Sequence, residues 1–140
     1  MKRKACGLFV PAAMILSFLL AAFPAPAHHS FASLFDREKP IEITGTVTKV
    51  EWMNPHIYYY VDVKDEAGDV TNYAVEGGTP NRLYRQGWRK DSLRVGDVIT
   101  VSGFRAKNGS NLLSGRNVTF PDGSRVFAAS PDDGGPGPGR

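Results

Sequence analysis

From Ile57 to Lys64 the chain alternates without a slip. Ile57, Tyr59, Val61 and Val63 fall on one face, and Tyr58, Tyr60, Asp62 and Lys64 on the other. A period of two marks a half-buried β-strand and commits its neighbours to pairing with it. Asp65 to Asp69 follows, with Gly68 to supply the positive φ of a hairpin loop. Val70 to Glu76 reads as the returning strand, with Tyr73 and Val75 inward, and Gly77-Gly78 ends it. Upstream, Ile41 to Trp52 is apolar at Ile43, Gly45 and Val47, then changes parity to Val50 and Trp52. That shift predicts a bulge or sharp bend inside one long strand. Met53-Asn54-Pro55 breaks it.

After the third strand, Thr79 stands as a helix N-cap with Pro80 at the first helical position. The helix runs to about Gln86 and stops at Gly87, with Leu83 and Trp88 as its anchors. Arg82, Arg85, Arg89 and Lys90 make its surface basic, which a solvated face explains without any partner. Leu93 to Asp97 turns the chain into a fourth strand, Val98 to Arg105. A fifth spans about Asn111 to Phe120, and Val126-Phe127 closes the domain. Five strands with one short helix between the third and fourth is the element order of an OB-fold. The expected class is all-β, a small five-stranded OB-like barrel over residues 41–127. A small β-sandwich and an SH3-like barrel are the alternatives.

Residues 1–27 read as a cleaved secretory signal peptide. Lys2, Arg3 and Lys4 start it, Leu8 to Phe23 is apolar, and Ala25-Pro26-Ala27 is an A-x-A cleavage site. The apolar run is short for a membrane span, which takes about 20 residues. An uncleaved anchor is the competing reading, and it fits the A-x-A site and the polar sequence beyond it less well. The leader has no Arg-Arg pair, which favours general secretion over the twin-arginine route. Cys6 precedes the apolar run, where a lipidated cysteine would follow it. These features place the chain in the periplasm or outside the cell, with no stable membrane insertion after cleavage.

Cleavage leaves His28 to Arg140, 113 residues without a cysteine, so neither disulfides nor thiolate metal sites are open to it. Removing Lys2, Arg3 and Lys4 from 17 basic residues leaves 14 against 14 acidic ones. With no basic excess, nucleic acid is excluded as a partner class. Residues 28–40 form an N-terminal arm, in which Phe31, Leu34 and Phe35 can pin onto the domain. Residues 128–140, rich in Gly, Pro and Asp, read as a disordered tail. One small domain of this kind is expected to be monomeric.

A combination of short motifs carries a family likeness. It comprises Ala27-His28-His29-Ser30-Phe31, Gly45-Thr46-Val47, Trp52-Met53-Asn54-Pro55-His56, Gly87-Trp88, Lys90-Asp91-Ser92-Leu93, Gly96-Asp97, Val101-Ser102-Gly103 and Pro121-Asp122-Gly123. Together they resemble a bacterial exported family, domain of unknown function 6152. The likeness covers essentially the whole mature domain. It implies export and a small β-rich domain, and no established activity.

Cleavage after Ala27 makes His28 the N-terminus. Its amine and its imidazole Nδ1 can then close one chelate ring, and a second imidazole completes a three-nitrogen site resembling the histidine brace of secreted copper proteins. His56 and His29, the other two histidines of the chain, compete for that third place. The arm of 13 residues can cross a small domain at about 3.3 Å per residue. Nitrogen ligands suit copper, nickel and zinc, and copper(II) leads in intrinsic affinity. Met53 is a candidate thioether beside His56, and Asp36 and Glu38 are candidate carboxylates. The plainer reading is a soluble start to the arm and a loop histidine held by hydrogen bonds.

The second candidate is a ligand face. Tyr58 and Tyr60 share the polar side of the second strand, with Asn72 beside them on the third, the usual binding face of an OB-fold. Exposed rings there can stack on a sugar, a peptide or a planar ligand. The competing reading has the helix or the arm covering them, with Phe31 and Phe35 as candidates to do so. Enzyme signatures are missing: the sequence has no Gly-x-Ser-x-Gly, His-Glu-x-x-His or phosphate loop. The expectation is an exported binding protein that is not an enzyme, with a copper site. The alternatives are a periplasmic accessory module that takes a protein or small ligand on its tyrosines, a purely structural envelope protein, and a copper oxidase, which would need the same site plus an open coordination position.

Overall fold

Alternation in the sequence becomes pairing in the structure. A computed structural model of the chain describes residues 31–128. The leader, His28, His29 and the tail beyond Ala128 lie outside the described residues. The elements are α1 (Phe31–Leu34), β1 (Phe35–Glu51), β2 (Tyr58–Lys64), β3 (Val70–Glu76), α2 (Pro80–Arg85), β4 (Val98–Ala106), β5 (Leu112–Thr119) and β6 (Arg125–Phe127). Among the described residues the fold is mostly β, with six strands in one sheet and two short helices. Five strands were expected; Val126-Phe127 proves to belong to a sixth, antiparallel to β5.

The parity shift in β1 is a bulge. Val47 pairs with Val61 and Lys49 with Tyr60, which leaves Thr48 without an opposite number on β2. The extra residue turns Val50 and Trp52 back toward the core, where both pack partly buried. β1 serves two neighbours in turn. Ile41 to Thr46 pairs with β4, and Thr46 to Glu51 pairs with β2. Gly45 sits at that handover, and a Cβ there would collide with the Asp62 carbonyl. Only glycine lets the two backbones approach so closely.

The pairings run β3-β2-β1-β4-β5, all antiparallel, and then return. Ala74, Val75 and Glu76 pair in parallel with Leu112, Leu113 and Ser114, so β3 meets β5 and the circuit closes. Val47, Tyr59, Val61, Val75, Val101 and Leu113 point inside it and are almost fully buried. α2 contributes Leu83 and the segment after it contributes Trp88, both buried, as their sequence positions led us to expect. Thr79 does occupy the N-cap position, but its side chain makes no capping bond; its carbonyl accepts from Arg82 and Leu83 instead.

The arm differs most from the expectation. Its Phe35 to Pro40 stretch belongs to β1. Phe31 and Phe35 form a second cluster with Phe104, Ala106 and Leu112. Lys107 ties the arm down, donating from Nζ to the Ala32 carbonyl at 2.7 Å and from its backbone N–H to Leu34 at 2.9 Å. At the other end Ala128, assigned from sequence to the tail, is buried and bridges Arg116 of β5 to Gly78.

Candidate functional site

The outward row of β2 sets the site. Tyr58 lies opposite Glu76 on β3 and Glu51 on β1, and Tyr60 lies opposite Ala74 and Lys49. Glu76 thus meets Tyr58 directly across the ladder, whereas Glu51, opposite Tyr58, reaches Tyr60 on the diagonal. Tyr58 donates to Glu76 Oε2 at 2.7 Å. Tyr60 donates to Glu51 Oε2 at 2.9 Å, and Lys49 closes on Glu51 Oε1 at 2.6 Å. The Lys49 ammonium also lies 5.2 Å from the centre of the Tyr60 ring. Burial, then the bond to Glu76, holds the Tyr58 phenol well above its ordinary value. The bond to Glu51 raises Tyr60, and Glu51 is itself lowered, first by Lys49 and then by Tyr60. Both phenols thus stay protonated donors.

His56 stands where β1 gives way to β2. Its Nδ1 lies 3.0 Å from the Gly77 carbonyl oxygen and 3.7 Å from Glu76 Oε1. A carbonyl oxygen only accepts, so Nδ1 carries the hydrogen. In the neutral ring Nε2 is then left as the lone pair. Gly77 is backed against Ile57, whose side chain a Cβ there would strike, and its own N–H donates to the Ile57 carbonyl. The acceptor that orients His56 is therefore rigidly placed. Glu76 links the two candidate sets, since it bonds Tyr58 and faces His56.

Of the other residues picked from sequence, Asn72 is apart from this centre. It donates to Asp62 Oδ1 at 2.6 Å and to Thr48 Oγ1 at 3.3 Å, further along the same face. Asp36 pairs with Lys39 at 3.5 Å. Met53 is exposed. His28 and His29 lie outside the described residues. Phe31, which follows them closely, packs with Leu112, and Leu112 pairs with Ala74, two residues before Glu76. Among the described residues no group of three or more His, Cys, Asp or Glu is placed to hold a metal.

Among the described residues Phe31 and Phe35 pack with each other, Phe104, Ala106 and Leu112, not with Tyr58 or Tyr60. Sequence reasoning missed Glu51, Glu76 and Lys49. Counting outward from the Asp65–Asp69 loop places Glu76 against Tyr58, so that signal was present. The bulge at Thr48 hid the register of Glu51.

A model of the family described as "Family of unknown function (DUF6152)" matches residues 16–114, a stretch that includes all three histidines. No curated protein matches the chain. By the extent of that match the chain belongs to the DUF6152 family.

Proposed function

We propose that this chain is an exported OB-like barrel that binds copper without catalysing a reaction. The circuit β1-β2-β3-β5-β4 and a first strand shared between two neighbours support the OB-like reading. The observation that carries the metal reading is the Nδ1–H bond from His56 to Gly77. Metal-binding histidines commonly give their second ring nitrogen to a backbone carbonyl or carboxylate, which fixes the tautomer and aims the other nitrogen. His56 has both acceptors to hand. The His28 amine and Nδ1 supply the remaining nitrogens once Ala27 is cut away. From Phe31 back to His28 is three residues, a reach of about 10 Å.

Native mass spectrometry of the protein from the exported fraction, untagged at its N-terminus, tests the reading. One copper on a chain that starts at His28, lost on acidification, is expected. One extra residue before His28 should abolish tight binding; unchanged affinity would refute the terminal site. The second reading is a periplasmic module that takes a protein or small ligand on Tyr58 and Tyr60. Their rings, uncovered by Phe31 or Phe35, favour it. Tyr58→Ala with Tyr60→Ala should then lose the ligand while copper content holds.

A further inference from the structure

The basic segment after β3 is more than a solvated helix face. Among the described residues Arg82, Arg85, Arg89 and Lys90 form no ion pair with a carboxylate. Arg94 differs, since it reaches Asp91 at 3.4 Å. Arg89 is nevertheless fixed in place. Its guanidinium donates to the carbonyls of Trp88 at 2.7 Å and Tyr84 at 3.2 Å, and lies 5.0 Å from the centre of the Tyr84 ring. Trp52 meets the same ring edge-on at 5.8 Å. Tyr84 keeps 44 % of its surface in solvent, and Met53, next to Trp52, keeps 47 %. Arg89 thus lies on a half-exposed Tyr84 ring that Trp52 backs from its partly buried place against the core, in a segment whose other charges, Arg82, Arg85 and Lys90, are also basic.

We infer that this surface docks the protein on an anionic lipid bilayer. The cations match phosphate headgroups. Tyrosine and tryptophan favour the headgroup level, where one end of the ring is apolar and the other wet. Met53 adds a flexible apolar tip that can enter the acyl boundary. An acidic soluble protein would be drawn to the same arginines and rings, and binding to soluble polyglutamate separates it from a bilayer. No helix of the described residues is long and apolar enough to cross a membrane.

Vesicle flotation tests this, with phosphatidylcholine alone and with phosphatidylglycerol added, the N-terminus of each preparation being checked by mass. The wild-type chain should float with the anionic vesicles only. Each cation removed should weaken partitioning about fivefold, so Arg85→Ala with Arg89→Ala should weaken it about twenty-five-fold. Met53→Ser should also weaken it, with the circular dichroism spectrum unchanged. Equal flotation with both vesicle types would overturn the inference. So would undiminished binding by a folded Arg85→Ala, Arg89→Ala chain. Binding to soluble polyglutamate in preference to vesicles would assign the surface to an acidic protein instead, against the proposal.

Discussion

Two residues show how closely this small core is fitted. Tyr59 is fully buried, and its hydroxyl has no hydrogen-bond partner among the described residues. It is tolerated because Gly115 leaves it room: a Cβ on Gly115 would stand 2.6 Å from the Tyr59 oxygen and 2.6 Å from Val75 Cγ1. Overpacking of this kind costs about 1–3 kcal/mol. Gly115→Ala should therefore lower the urea midpoint by a corresponding amount. Tyr59→Phe removes the oxygen that the new methyl strikes and a buried donor that bonds nothing. Alone it should be neutral or slightly stabilising. Combined with Gly115→Ala it should recover part of the loss, the Val75 contact remaining. If the double variant is no better than Gly115→Ala alone, the crowding does not lie at the hydroxyl.

At the scale of elements, β2 was the most legible. Its alternation placed Tyr59 and Val61 in the core, with Ile57 just before the strand. The first half of β1 was not legible, because Asp36 to Lys39 carries four consecutive charges with no apolar alternation. What fixes that stretch is non-local: Phe35 opposite Ala106, and Pro40 opposite Phe104. The polar edge of β2 also predicts how stability responds to alkali. An ordinary phenol loses its proton near pH 10. Burial raises both Tyr58 and Tyr59 above that, aided at Tyr58 by Glu76. The folded chain therefore keeps protons that the unfolded chain releases. That contribution is whole below about pH 10 and is lost as pH rises toward the folded values. The urea midpoint should fall as pH climbs above about 10. Tyr58→Phe, having no phenol proton at this position, should fall less steeply, and an identical slope would show that Tyr58 is not held by burial and Glu76.

For the molecule as a whole, the order of elements could be read from turn residues and periodicity, but the closure could not. Ala74 and Leu112 are far apart in sequence, and nothing local in either announces a parallel pairing. The same is true of the seam below it. Ala128 donates to the Arg116 carbonyl at 2.7 Å, and its own carbonyl accepts from Gly78 at 2.6 Å. Gly78 adjoins the Gly77 carbonyl that orients His56. The end of β6 thus fastens β5 to the strand end on which the candidate metal ligand depends. A chain that stops after Ala128 should keep this seam, whereas one that stops after Ser124 removes β6 and leaves the Arg116 carbonyl and the Gly78 N–H without these partners. It also uncovers core that Val126 packs against. The loss should be about 2–5 kcal/mol, from the unpaired backbone groups and the exposed apolar surface. If His56 binds copper as proposed, copper affinity should also drop in the same shortened chain where it remains folded, because the Gly77 segment loses one of its tethers and keeps only its bonds to Ile57. If the chain ending at Ser124 matches the one ending at Ala128 in both urea midpoint and copper affinity, the seam neither supports the sheet nor positions His56.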